Sequence, residues 1–147
     1  MSPSRRTVTV SLVVLTLLSV GVVAEAERNY ANVITFEEST ASVADAEFDD
    51  GVVVTVRVHN SMNRPIRVQY VHVDLSHEDG RGSASTPYQG FNSISPGTGT
   101  VKGYVPARLI SGNLSQGDAV TVTGTVTVRV YNDYRLEIPI EQREVTL

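Results

Sequence analysis

Val120-Thr121-Val122-Thr123-Gly124-Thr125-Val126-Thr127-Val128-Arg129-Val130 decides the fold class of this chain. Valines at 120, 122, 126, 128 and 130 share one parity, and threonines at 121, 123, 125 and 127 share the other. Successive strand side chains point to opposite faces, so this period of two describes a strand with one face buried and one in water. Gly124 falls in the apolar phase, where it permits a bend or a close backbone approach in an unusually long strand. Tyr131-Asn132-Asp133-Tyr134 turns the chain. Leu136, Ile138 and Ile140 then return with Glu137 and Glu141 outward, and Val145 and Leu147 extend the same sheet.

The same pattern recurs towards the N-terminus. Val52 to His59 alternates Val52, Val54, Val56 and Val58 with Val53, Thr55, Arg57 and His59. The loop Asn60-Ser61-Met62-Asn63-Arg64-Pro65 leads into Ile66 to Leu75, whose apolar parity slips: Ile66, Val68 and Tyr70 give way to Val71, Val73 and Leu75. A slip of one residue sends every later side chain to the wrong face. A β-bulge near Gln69–Val71 restores the core set. Asp49-Asp50-Gly51 reads as a turn, and Asp79-Gly80 as a hairpin turn needing positive φ. Ser83 to Gln89 is a polar edge strand, and Ser95-Pro96-Gly97 with Gly99 breaks the chain before a strand at Thr100 to Val105. Val33 to Phe36 starts the first strand, with a break at Ser39 to Ser42 and a continuation at Val43 to Phe48. Helical periodicity is confined to one turn within Ala107 to Asn113. Short strands separated by turn signals predict an all-β domain over residues 33–147, an immunoglobulin-like antiparallel β-sandwich of two sheets.

Before the domain lies an 18-residue apolar run, Thr7 to Ala24, preceded by Arg5 and Arg6 and followed by Glu25 and Glu27. At about 1.5 Å per residue a helix of that length spans about 27 Å, close to a bilayer core of about 30 Å. Residues 1–26 are therefore expected to form a basic segment with a transmembrane anchor or signal peptide, and 27–32 a spacer. The preceding arginines put the domain outside the cell membrane in a single-pass arrangement. Ala24-Glu25-Ala26 also fits a small-x-small cleavage site, so secretion after cleavage near Ala26 is the other expectation.

Composition narrows the function classes. There is no cysteine, which removes disulfides, thiolate metal sites and thiol nucleophiles. All sixteen acidic residues but only ten of twelve basic ones follow residue 24, so the domain repels nucleic acid overall. No hydrolase elbow, phosphate-binding glycine loop or zinc-protease helix motif occurs. No catalytic residue, no enzyme activity and no cofactor are expected.

The order of features resembles the late embryogenesis abundant type 2, or water-stress and hypersensitive-response (WHy), domain. The residues concerned are the valine strand ending in Asn60, the loop to Pro65, and Ile66, Val68, Val71, Val73 and Leu75. The Ser-Pro-Gly segment then leads to Thr100-Val101, Gly103-Tyr104-Val105-Pro106, and the close is Gly124-Thr125-Val126 with Val128. Asn60-Ser61-Met62-Asn63 departs from the Asn-Pro-Asn common in that family. The resemblance implies a small sandwich without catalytic residues, associated with stress and desiccation and with membrane-tethered forms.

Weak metal candidates are His59, His72 and Asp74: His72 and Asp74 share a strand face, and His59 is expected on the neighbouring strand. Asp49-Asp50-Gly51 and Glu78-Asp79-Gly80 offer oxygen ligands for calcium but lack the acidic ladder of a dedicated loop. Asn113-Leu114-Ser115 is a glycosylation sequon. Tyr131 and Tyr134 flank a turn and are the tyrosines expected at an interaction surface. Two functions are expected: a tethered or exported non-catalytic domain of stress tolerance, or an adhesion or assembly module binding a surface protein or glycan.

Overall fold

β-Branched residues at every second position fill long strands, and the computed structural model describes residues 36, 38–89, 92–130 and 134–147 of the chain. Contacts divide the chain into Met1–Glu37 and Glu38–Leu147, and the description concerns the second unit. The apolar run Thr7 to Ala24 lies outside the described residues, as does the strand start expected at Val33 to Phe36 except for Phe36 itself, which is helical rather than extended. Among the described residues, no helix is long and apolar enough to cross a membrane.

The described strands are β1 (Thr40–Phe48), β2 (Gly51–Asn60), β3 (Ile66–His77), β4 (Gly80–Pro87), β5 (Ser93–Ile94), β6 (Gly97–Pro106), β7 (Ile110–Gly112), β8 (Ala119–Val130) and β9 (Tyr134–Thr146). A 3₁₀ turn at Ala107–Leu109 takes the position expected for a helical turn. The expected break at Ser39 to Ser42 is shorter than predicted, because Thr40–Ser42 pair with β2 at Arg57–His59.

The all-β expectation holds, with a different sheet arrangement. One hydrogen-bonded sheet runs β6-β2-β1-β9-β8-β3-β4-β7, with β5 paired to β3. Two layers arise because this single ribbon curls on itself. The fold point is a short parallel contact, Ala41 opposite Ile140 and Ser42 opposite Glu141. Beyond it β1 and β9 diverge, and Arg143 Nη1 donates to the Val43 carbonyl at 2.7 Å across the gap. All other strand pairings are antiparallel.

Curling brings β6 over β3 and β4. No backbone ladder joins β6 to β4; side-chain hydroxyls do. Thr86 Oγ1 accepts from Tyr104 N at 2.7 Å and donates to Tyr104 O at 3.4 Å. The Tyr88 hydroxyl donates to Lys102 O at 2.7 Å and accepts from Lys102 N. Backbone groups along the free edge of β6 take these hydroxyls as partners on the exposed side of the seam. Close approach here requires small residues. A Cβ at Gly103 would overlap the Val73 side chain, and one at Gly82 would come 3.0 Å from Val105 Cγ1.

The core is built from Val43, Val52, Val54, Val56, Val58, Ile66, Val68, Val71, Val73, Val120, Val122, Val126, Val128, Ile138 and Ile140, all essentially inaccessible. Each contributes about 1.5–3 kcal/mol through burial. Bulges keep this set in phase. Gln69 is the extra residue between the pairs Val68–Val128 and Tyr70–Thr127, as the sequence pattern requires. Ala44 is the extra residue between Val43–Val56 and Asp45–Thr55. In β9, Glu141 and Gln142 stand opposite Thr123 alone, between the pairs Val122–Arg143 and Gly124–Ile140. Gly124 has φ +149°, and a Cβ there would run into the His72 carbonyl. The close approach expected of that glycine is therefore made.

Asp50 (φ +45°) and Gly51 (φ +143°) form the β1–β2 turn. The β3–β4 turn is a correction. Among the described residues neither Asp79 nor Gly80 has positive φ. Gly80 is needed for space instead, since its Cβ would meet the Ser111 carbonyl at 2.9 Å.

Asn60 organises the β2–β3 loop from inside at 1 % exposure. Its Nδ2 donates to Arg64 O at 2.8 Å and to Ile94 O at 3.0 Å, and its Oδ1 accepts from Met62 N at 3.0 Å. One buried amide thereby ties loop, β2 and β5 together, with all its bonds of good length.

Candidate interaction surfaces

Outward parity on β3 and β4 places His72, Asp74, Ser83 and Ser85 together, because His72 pairs with Ser85 and Asp74 with Ser83. His72 Nε2 lies 3.3 Å from Asp74 Oδ2, with both side chains about 40–50 % exposed. His72 Nδ1 lies 2.8 Å from Ser85 Oγ. The result is a serine–histidine–aspartate relay that sequence spacing did not single out, since Ser85 joins only through strand register. It sits on an open sheet surface, where hydroxyl and carboxylate are solvated. An exposed pair of this kind is worth about 0–1 kcal/mol.

His59 does not join it. β2 belongs to the other limb of the curled sheet, with β1, β9 and β8 intervening before β3, so the expected neighbouring-strand approach fails. Its Nδ1 lies 3.4 Å from Thr98 Oγ1 on β6. Among the described residues no three histidine, aspartate or glutamate side chains converge as a metal set. The Asp49-Asp50 and Glu78-Asp79 turns lie on separate hairpins.

A second constellation lies at the opposite end of β3. Arg67 on β3 stands opposite Arg129 on β8, and Arg129 stands opposite Arg135 on β9. Three guanidinium groups thus cross three adjacent strands on the outer face. Arg135 Nε donates to Gln69 Oε1 at 3.1 Å, and its guanidinium carbon sits 5.8 Å from the Tyr70 ring centroid. The bulge therefore has a second effect: it turns Gln69 towards Arg135. Beside the row is a cavity of about 300 Å³ lined by Arg67, Gln69, Tyr70, Tyr88, Gln89 and Arg129. Pairing register was needed to find this row, because Arg67 is far in sequence from the hairpin that carries Arg129 and Arg135.

Tyr134, at 70 % exposure, is the most open large hydrophobic side chain among the described residues. Tyr131 lies outside the described residues. Asn113 is exposed in the β7–β8 loop, its N–H donating to Asp79 O at 3.2 Å. The sequon therefore lies at the end of the domain remote from the arginine row.

No family model matches the chain, and no curated protein matches it in sequence. Likeness is found among solved structures. A solution structure described as that of a late embryogenesis abundant (LEA) protein aligns over 99 % of this chain and 90 % of its own, at TM-score 0.53 and 19 % identity. An X-ray structure of a structural-genomics target aligns over 75 % of this chain and 84 % of its own, at TM-score 0.45 and 11 % identity. The first likeness is one of fold.

Proposed function

We propose that this chain is a non-catalytic domain of the LEA type 2, or WHy, kind, acting in tolerance of drying or osmotic stress. The observation that carries the reading is the chain-long fold likeness to a LEA protein. Strand positions support it: the residues that carry the sequence resemblance occupy β2, β3, β6 and β8. In this reading Thr7 to Ala24 holds the chain in the cell membrane, with Glu38–Leu147 outside; release after cleavage near Ala26 is its soluble counterpart.

The domain's make-up suits that role. Its core is aliphatic and free of cysteine, so no redox change loosens it. The outer face of β8 presents Thr121, Thr123 and Thr125 half-exposed, beside Ser83 and Ser85 on β4. These hydroxyls both donate and accept, and exchange water for other polar partners at little cost.

Deleting the gene in its native cell and measuring survival after drying and after osmotic shock tests the role. Reduced survival in either is expected, and unchanged survival in both would sink it. A second reading, adhesion or assembly on a surface protein or glycan, is favoured by the exposure of Tyr134. Cross-linking in intact cells tests it: a stoichiometric partner lost on Tyr134→Ser is expected, and monomer alone refutes it.

A further inference from the structure

Nothing in a role in drying or osmotic stress calls on the serine–histidine–aspartate relay of β3 and β4, yet its geometry is specific. A carboxylate only accepts hydrogen bonds, so Asp74 Oδ2, at 3.3 Å, holds the ring proton of His72 on Nε2. That leaves Nδ1 as the acceptor for the Ser85 hydroxyl at 2.8 Å. A nucleophile bonded to a base, and the base to an orienting third group, is the arrangement that makes a serine hydroxyl reactive. Strand register fixes it here. His72 pairs with Ser85, and Asp74 lies two residues along β3 on the same face.

Two further features suit a donor molecule. Ser85 is exposed, so its hydroxyl is open to reagents from solvent. A cavity of about 460 Å³ lies alongside, lined by Asp74, Leu75, Ser76, Arg81, Ser83 and Leu109. Asp74 and Ser83 belong to both the cavity wall and the relay, since Ser83 Oγ lies 3.5 Å from His72 Nε2. Ser83 and Ser85 are two residues apart, about 6.5 Å along an extended strand. A short carbon chain attached at Ser85 therefore reaches the cavity. Leu109, at 49 % exposure, offers that chain an apolar side chain that still faces water, and covering it is favourable.

We infer that Ser85 is an acyl-accepting serine, activated by His72 with Asp74 as positioning residue, and that the neighbouring cavity receives the donor's hydrocarbon chain. The donor class is an activated ester or thioester of a short- to medium-chain fatty acid. In the transfer Ser85 Oγ forms a bond to the acyl carbonyl carbon, and its proton passes to His72 Nδ1. The tetrahedral adduct expels the donor's alkoxide or thiolate, which takes that proton and restores the neutral imidazole. The product is an ester on Ser85, a covalent modification of the domain. This holds whether or not the domain acts in stress tolerance, and whatever becomes of the apolar run.

The test treats the full chain with 4-nitrophenyl acetate and 4-nitrophenyl hexanoate. Absorbance follows nitrophenolate release, and fragmentation of the tryptic peptide 82–102 locates the acyl group, with Ser83, Ser93 and Ser95 as internal references. One equivalent released, the acyl group on Ser85, and hexanoate faster than acetate once corrected for alkaline hydrolysis are the expected results. His72→Ala should slow acylation of Ser85 by about 100-fold, the lower end of what a general base contributes. Asp74→Asn should slow both esters equally, whereas Leu109→Ser removes the preference for hexanoate and leaves acetate unchanged. Melting curves establish that the variants fold. Acylation of Ser85 no faster than that of Ser93 and Ser95, or undiminished in His72→Ala, overturns the inference. Equal corrected rates for the two esters overturn the role of the cavity. Nitrophenolate release that runs past one equivalent while Ser85 stays free overturns the modification and assigns the relay to hydrolysis.

Discussion

Truncating Asn60 to alanine removes three hydrogen bonds at once: two donated to the Arg64 and Ile94 carbonyls and one accepted from Met62 N. The site is closed to water at 1 % exposure. Each bond contributes about 1 kcal/mol net, and partners left dry cost at least as much, which gives about 3 kcal/mol. For a unit of this size about 4 °C of Tm accompanies each kcal/mol, so Tm should fall by about 12 °C. Circular dichroism melts and urea titrations measure this, the urea slope staying constant if the native fold persists. Asn60→Asp separates polarity from shape. It keeps the acceptor for Met62 N, but sets a charged oxygen against two carbonyls. It should cost at least as much as alanine. A loss below about 1 kcal/mol for both variants would refute the view that this amide holds the loop.

Gly103→Ala pushes a methyl group into Val73 and should cost about 1–3 kcal/mol, read from urea midpoints. Combining it with Val73→Ala should recover more than about 0.5 kcal/mol relative to additivity, and strict additivity would contradict the contact. Tyr88→Phe removes both hydroxyl bonds to Lys102, so hydrogen exchange at the Lys102 amide should accelerate by about tenfold, with about 1–2 kcal/mol lost overall. An unchanged exchange rate would show that β6 is closed by other means. Gly124→Ala should be among the most damaging single substitutions, since it meets both a positive φ and the His72 carbonyl, and a Tm within a few degrees of the parent would argue against that geometry. His72→Ala, by contrast, should change stability by less than about 1 kcal/mol, as chemical denaturation will show.

Much of the strand content was legible because periodicity is local. Alternating valines in β2 and β8 announce their buried face, and the phase slip at Ile66 to Leu75 located the Gln69 bulge before any partner strand was known. The extent of β1 was harder to read, because Ala41 and Ala44 give little contrast between phases. The single curled sheet was not legible. It depends on a parallel contact only two residue pairs long, and on glycines at positions 82 and 103 whose effect lies in what they let approach. Site residues divide in the same way. His72 and Asp74 are two apart on one strand, so their meeting follows from sequence. Ser85 beside His72, His59 away from it, and the row of arginines all follow from strand order.

The bulges at Ala44 and Gln69 also bear on how the chain can vary in length. Removing a residue from the middle of a regular strand inverts everything beyond it, and a folded relative so altered would not survive. Removal of Gln69 instead leaves Ile66, Val68, Val71, Val73 and Leu75 in unbroken alternation, and removal of Ala44 does the same for Val43, Ala46 and Phe48. Descendants of this domain can therefore lose a residue at these two places and keep both faces. Single-residue gaps within strands of diverged kin should collect at these positions and at the Glu141–Gln142 step, leaving a trace of architecture where sequence identity has faded.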